Sequence, residues 1–304
     1  MESPTDPLVV TVILNTNRRE DTLACLASLA QSPYPHHQIM VLDNASTDGS
    51  AEAIAAAFPD VTLLPLTANK GYAGNNNVGI AAALEMGADW VFVLNEDTLL
   101  APDCIGKLVA VGEADPRIGV VGPMVYHYNE PEVIQSAGGR MTPKMEAFHI
   151  AENEPDRGQF SAPVEVDWIS GCAILVRRSV IEQVGALDER FFYYWEETEW
   201  CLRARRAGWR VIFAPQAKLW HKGVQRDYKP SANVTYYSTR NRLLMMQKHQ
   251  APLWVKLAAW GQIGRTLVSW TVKPKWRDMR LHRDAMWQGA LDYLHGRWGI
   301  RPSA

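Results

Sequence analysis

The chain has 304 residues, 47% of them apolar and 21% charged, an ordinary globular composition for one large domain or two small ones. A formal net charge of -2 gives no cause to expect a nucleic-acid partner. The four cysteines (Cys25, Cys104, Cys172, Cys201) have no CxxC spacing, which excludes a zinc or thiol-redox motif and fits a reducing cytosol. Residues 1–7 carry no basic segment leading into an apolar run, so no secretion leader is expected, and neither an internal repeat nor a low-complexity segment is present.

The first predicted strand is the β-branched run over residues 8–14, closed by Asn15-Thr16-Asn17. An amphipathic helix over 19–31 places Leu23, Leu26 and Leu29 on one stripe and ends at Pro33 and Pro35. A second strand over 38–42 runs into Asp43-Asn44, and Ser46 or Thr47 can cap an Ala-rich helix reaching Phe58. A third strand covers 61–66. The loop Asn69-Lys70-Gly71-Tyr72-Ala73-Gly74-Asn75-Asn76-Asn77 then leads into a helix ending near Met86. Its two glycines ahead of a helix N-terminus suit a phosphate, and its Asn and Gly content equally suits a plain turn. The fourth strand, Trp90-Val91-Phe92-Val93-Leu94, has five apolar residues in a row, as a strand buried on both faces should. It ends on Asn95-Glu96-Asp97. Four strand–helix alternations predict a doubly wound parallel α/β sheet with all four strand-end loops on one edge, where ligands bind. Glu96 and Asp97 there can hold a divalent cation, or merely close the strand.

Residues 127–165 lack strong periodicity and read as a partly irregular excursion beside the site. Strands over 164–168 and 173–177 flank Ser170-Gly171, and a helix covers 179–184. The cluster Tyr193-Tyr194-Trp195-Glu196-Glu197-Thr198-Glu199 opens a helix near Glu197, and a strand over 209–213 precedes Lys218-Leu219-Trp220-His221. The tail differs in charge. Residues 240–304 hold twelve of the 31 Lys and Arg but three of the 33 Asp and Glu, about +9 against about -11 for the rest. They also hold six of the twelve tryptophans. Within the tail, residues 253–272 are mostly apolar but interrupted by Lys256 and Arg265, and a basic cluster (Lys273, Lys275, Arg277, Arg280, Arg283) follows. This pattern predicts an amphipathic helical extension over 246–304 lying on an anionic membrane face. The other uses of such helices are to cover the catalytic domain or to form a homodimer contact.

These motifs, in this order, resemble family-two glycosyltransferases with the GT-A fold, in particular the bacterial rhamnosyltransferase branch. The resemblance rests on Val12-Ile13-Leu14-Asn15-Thr16-Asn17, Val41-Leu42-Asp43-Asn44-Ala45-Ser46-Thr47-Asp48-Gly49-Ser50, the Asn69–Asn77 loop, Leu94-Asn95-Glu96-Asp97-Thr98, Gly171, Phe191-Phe192-Tyr193, Glu196-Glu197, Cys201-Leu202-Arg203, His221 and Arg240-Asn241-Arg242-Leu243. It implies a GT-A domain, a Rossmann-like nucleotide-binding sheet, over residues 1–245, with a nucleotide half near 8–125 and an acceptor half near 126–245. It implies an inverting transfer of one sugar, rhamnose in that branch, from a dTDP- or UDP-sugar to a hydroxyl of a glycan or lipid-linked saccharide, with Mg2+ or Mn2+.

By the same resemblance Asp43 reads the pyrimidine, and Asn15, Thr16, Asn17 and Asn44 line the nucleoside pocket. Asn69, Gly71 and Asn76 serve the ribose and diphosphate, beside Asn95 and Glu96. Asp97 and His221 bind the metal. Glu197 is the base, with Glu196 and Glu199 as its rivals. On the acceptor side stand Gly171, Trp168 and Trp195; tryptophans stack on sugars and serve equally as core. The first Asp of a strict DxD is here Asn95, and Glu197 stands where Asp is commoner. The competing readings are a non-catalytic nucleotide-sugar scaffold and a sugar nucleotidyltransferase. The expected location is cytoplasmic, peripheral on the inner face of the cell membrane.

Overall fold

The computed structural model describes residues 6–223 and 225–302, so the residues 1–5 on which the leader expectation partly rests lie outside the described range. The N-terminal half alternates as the hydrophobic pattern requires: β1 (Val9–Asn15), α1 (Arg19–Leu29), β2 (His37–Asp43), α2 (Ser50–Ala57), β3 (Thr62–Pro65), α3 (Gly71–Glu85) and β4 (Trp90–Asn95). Then come β5 (Thr98–Leu100), α4 (Cys104–Glu113), β6 (Ile118–His127) and the excursion, which contains β7 (Ile134–Ser136), β8 (Gly139–Met141) and β9 (Ala147–His149). The chain continues through β10 (Val164–Glu165), β11 (Ala173–Arg177), α5 (Arg178–Val184), α6 (Glu196–Arg206), β12 (Arg210–His221), α7 (Ala232–Lys248), α8 (Leu253–Val272), a 3-10 turn (Pro274–Met279) and α9 (Arg280–Leu294).

Strands β3, β2, β1 and β4 are parallel neighbours, as an apolar strand with helical crossovers demands. Antiparallel β11 then joins β4 to β6, and β12 runs parallel to β6. Both faces of this sheet are covered by apolar layers, so Trp90, Val91, Phe92, Val93 and Leu94 are all buried.

Register brings the polar strand ends level. Asn15 stands opposite Asp43, Leu14 opposite Asn95, Ala173 opposite Leu94, and His221 opposite Thr98. β12 is longer than the five residues expected from 209–213. It passes Pro215 through an irregularity between Ala214 and Lys218 and ends at His221. Only Val164–Glu165 of the strand expected over 164–168 forms. Residue 245, where the division is expected, lies inside the continuous helix α7. Helices α7 and α9 pack together, while α8 buries only Val255 and Ala259. Among the described residues no helix is long and apolar enough to cross a membrane.

Candidate functional site

The loops after β1 and β2 are stitched together. Asn15 is fully buried: its Nδ2 donates to Asp43 Oδ1 at 2.9 Å and Ser46 Oγ at 3.0 Å, and its Oδ1 accepts from Thr22 Oγ1 at 2.8 Å. Each polar atom of the amide already has a protein partner, so Asn15 ties the ends of β1 and β2 to α1. Asp43 is held by this bond and by the Ser46 amide at 3.2 Å. Asn17, at φ 52°, accepts from the Thr47 amide at 2.7 Å, and Thr16 Oγ1 accepts from Asn44 Nδ2 at 3.2 Å.

In the next loop, Asn69 Oδ1 accepts from Gly71 N (2.9 Å) and Asn75 Oδ1 from Lys70 N (3.0 Å), fixing the entry to α3. Two expected ligand contacts are buried here. Asn76 donates to Tyr72 O at 2.9 Å, and its Oδ1 finds no donor among the described residues. Gly71, at φ 73°, backs onto Phe192, whose carbonyl oxygen occupies the space a Cβ would need. The close approach therefore requires glycine. The exposed groups of the loop are Asn69 and Lys70.

At the end of β4, Asn95 N donates to Cys172 O at 2.9 Å and Asn95 O accepts from Thr98 Oγ1 at 2.8 Å. Glu96 is half-buried, and burial first, then the Asp97 charge, pushes its carboxyl up to about 7. Burial would also raise Asp97, but His221 and Arg18 outweigh it and hold Asp97 below its ordinary value.

His221 Nε2 stands 3.1 Å from Asp97 Oδ1, while His221 Nδ1 donates to Gln135 Oε1 at 2.8 Å. The pair is buried, and the imidazole's other nitrogen is already engaged by Gln135. Gly223 completes the arrangement: a Cβ there would meet Asp97 Oδ2 at 2.8 Å and His221 Nε2 at 2.9 Å. One carboxylate and one imidazole thus converge on space kept open by a missing side chain. Among the described residues no set of three His, Cys, Asp or Glu groups as a metal cage. Two protein ligands, completed by substrate phosphate and water, are nonetheless what a hard divalent cation commonly takes, so the residues fit one.

Two cations that the site assignment from the sequence did not include stand near this acidic pair. Lys222 Nζ and Arg18 Nη1 share Asp21, at 2.9 and 3.1 Å. Both directly follow a site residue, Arg18 after Asn17 and Lys222 after His221, and that adjacency was the available signal.

The second acidic cluster sorts itself by partners. Glu199 is fully buried against Arg203 (2.9 Å), Lys248 (3.1 Å) and His249 (3.2 Å). Burial would raise it, but these partners prevail and hold it low, so Glu199 is a structural anion. Glu196 is buried, with Oε2 lacking a donor among the described residues; burial, then Glu197, holds it well above the usual range. Glu197 is only part-buried, is raised by burial, and accepts from Thr198 Oγ1 at 3.1 Å.

Its Cγ lies 3.3 Å from the Cβ position of Gly171, and Gly171 O accepts from Tyr72 OH at 2.6 Å. The Tyr72 phenol is raised by burial first and then by the charges of Glu196, Glu197, Cys172 and Glu96. Trp168 differs from expectation. It is 4% exposed, packs against His149 and donates to Arg140 O at 3.3 Å, so it is core and not a sugar platform. Trp195 is half-buried, at φ 77°, against Phe191, Leu244 and Met245.

With this geometry in place, comparison with known proteins is informative. The family described as Glycosyl transferase family 2 matches residues 10–185. An N-acetylglucosaminyl-diphospho-decaprenol L-rhamnosyltransferase of Mycobacterium tuberculosis is 30% identical over 260 residues, covering 75% of this chain and 82% of that protein. The dTDP-rhamnosyl transferase RfbF of Shigella flexneri is 27% identical over 254 residues, covering 80% and 83%. A Pyrobaculum calidifontis mannosyltransferase solved with GDP-Man and Mn2+ superposes with TM-score 0.61 at 18% identity, covering 97% of this chain and 89% of that one. GalNAc-T7, solved with UDP, GalNAc and Mn2+, gives TM-score 0.64 at 15% identity over 81% of this chain and 48% of that one. At these identities the two structures speak for the GT-A fold alone.

Proposed function

This chain belongs to glycosyl transferase family 2, and we propose that it is an inverting, metal-assisted hexosyltransferase that moves L-rhamnose from a dTDP-linked donor to a hydroxyl of a lipid-linked saccharide. The observation that carries this reading is that residues 171–172 join the two acidic clusters. Asp97 and His221 converge over Gly223 at the end of β4, where Asn95 N donates to Cys172 O, and part-buried Glu197 packs against the neighbouring Gly171.

Asp97 and His221 would hold Mg2+ or Mn2+, which supplies Lewis-acid charge to the donor diphosphate. Lys222 and Arg18 add fixed positive charge for that leaving group as its bond to the anomeric carbon breaks. Glu197 takes the proton of the attacking acceptor hydroxyl, and its raised pKa brings it nearer the working pH of a general base. One displacement with one base inverts the anomeric centre. Asp43 reads the pyrimidine from the end of β2. Thermal stabilisation by dTDP-rhamnose with Mn2+, set against UDP-sugars and each alone, tests the donor assignment through mass action. Equal stabilisation by every nucleotide sugar would remove it.

The acceptor's lipid asks for a surface, and α8 offers one. Leu253, Trp254, Leu257, Val268 and Val272 are all more than half exposed along a helix about 30 Å long. Lys256, Arg265, Lys273, Lys275 and Arg277 flank this apolar stripe. A second copy would bring like charges together, whereas an anionic bilayer complements them. Of the tryptophans in residues 253–276, Trp254 is exposed. Trp260 and Trp270 pack on Tyr293 and His282, and Trp276 is half-buried. Flotation should require anionic liposomes and weaken in salt; equal binding to neutral ones would refute the electrostatic part.

A further inference from the structure

The helix that carries the base is entered through residues 191–195. There Phe192, Tyr194 and Trp195 hold φ of 63°, 69° and 77° without a glycine among them. Such backbone persists only where its surroundings over-determine it. The surroundings are two adjacent side chains of α7. Asn241 Nδ2 lies 2.8 Å from each of the carbonyl oxygens of Phe191, Tyr193 and Tyr194.

Arg240 is fully buried. Its Nη2 donates to Arg190 O (3.2 Å) and Phe191 O (3.0 Å), its Nη1 to Gly299 O (2.8 Å), and its Nε to Asn241 Oδ1 (3.0 Å). The guanidinium lies over the rings of Tyr236, Tyr237 and Trp298, at 5.1 to 5.9 Å. A planar fork with five donors suits this task, because it can hold several carbonyls in one fixed geometry.

The gripped segment also reaches the donor side. Phe192 stacks on Tyr237 of α7 (5.6 Å, 16°), and its carbonyl oxygen accepts from Ala73 N at 3.4 Å, against the glycine at position 71. One short turn therefore joins the carboxylates of α6 to the loop at the start of α3, and α7 holds it from behind.

We propose that Asn241 and Arg240 are positioning residues for the transfer. They lock residues 191–195 in the left-handed turn that sets Glu197 against Gly171 and Phe192 against the Gly71 loop. This rests on the assignment of Glu197 as base. It makes α7 part of the active-site framework, and through Gly299 it ties the end of the chain to the reaction.

The test compares wild type with Asn241→Ala and Asn241→Asp. The aspartate variant keeps an acceptor for Arg240 Nε but sets oxygen against the three carbonyls, so Tm is read to select conditions where each variant is folded. Four quantities are read: kcat and donor KM across pH, nucleoside diphosphate affinity with Mn2+, amide exchange at residues 191–199, and Tm. The expected result is a kcat lower by about a hundredfold, the scale of an ångström-level misplacement. Nucleoside diphosphate affinity should fall far less than kcat, since only the Phe192 contact with the Gly71 loop reaches the donor side. The acid limb of kcat should move to lower pH as the opened turn lets water reach Glu197, and exchange at 191–199 should accelerate. Arg240→Ala should regain part of its lost kcat when guanidinium is added.

A folded Asn241→Asp enzyme with wild-type kcat and pH profile overturns the proposal whatever its Tm, as does nucleotide affinity falling in step with kcat. Should wild type itself transfer no sugar, the assigned reaction fails. Exchange at 191–199 then decides the grip alone: faster in the variants supports it, unchanged overturns it.

Discussion

Gly223→Ala separates metal binding from folding more cleanly than removal of a ligand. The added Cβ would stand 2.8 Å from Asp97 Oδ2 and 2.9 Å from His221 Nε2. An ordinary contact is near 3.5 Å, so each atom must retreat by roughly 0.5 Å or more. Ligand distances tolerate only about 0.2 Å. Neither side chain is free to follow, because Asp97 is buried and His221 is tied to Gln135. Metal affinity should therefore fall by about ten- to a hundredfold, the scale seen when the shell supporting a metal is disturbed. Gly223 does not hold a positive φ, so the backbone itself accepts alanine, and any fall in Tm reports the crowding of Asp97 and His221 alone. The assay is the initial rate of nucleoside diphosphate release against Mn2+ concentration, with Tm measured alongside. A metal midpoint equal to wild type would refute the assignment of Asp97 and His221 as its ligands.

Glu197→Gln should lower kcat by about a hundredfold or more at unchanged donor affinity; a dead Glu196→Gln beside an active Glu197→Gln would reassign the base. Glu199→Gln should instead cost about 3 kcal/mol of stability in denaturant titration, because it strands Arg203, Lys248 and His249, while activity per folded molecule stays high. Glu96 is raised to about 7 in the fold, so its contribution to stability is full below about 4.5 and is lost as pH rises through about 7. Glu96→Gln should accordingly gain stability over wild type above pH 7 and not at pH 4.5, as read from metal-free Tm against pH. Asp43→Ala should weaken binding of every donor sharing one base without altering sugar preference, which competition between donors measures.

Much of the sheet was legible because burial writes itself into composition. The uninterrupted Trp90–Leu94 run could only be a strand covered on both faces, and the polar residues closing β1, β2 and β4 had to meet on one edge once the crossovers were helical. Asp97 and His221 were legible as strand-end polar residues, but their meeting depends on β5 pairing with the far end of β12. That strand was obscured by Pro215, which reads as a breaker yet sits in an irregularity where its missing donor costs nothing. Asn15 marks the opposite case. An amide at a strand end suggests a ligand, and only the fold reveals the partners it already has in Thr22, Asp43 and Ser46. Trp168 was equally ambiguous, since the same ring can cover a sugar or a core. No local pattern marks the grip of Arg240 and Asn241 on a turn nearly fifty residues earlier in the chain, because backbone carbonyls leave no trace in side-chain identity.

The central claim is a single inverting displacement at the site between Asp97 and Glu197. Its most direct test is NMR of the first product made with Mn2+ from a dTDP-rhamnose donor of known anomeric configuration. The account predicts release of the nucleoside diphosphate and a new glycosidic bond of opposite configuration to the donor's. A product with retained configuration, or release of pyrophosphate in place of the nucleoside diphosphate, would contradict it.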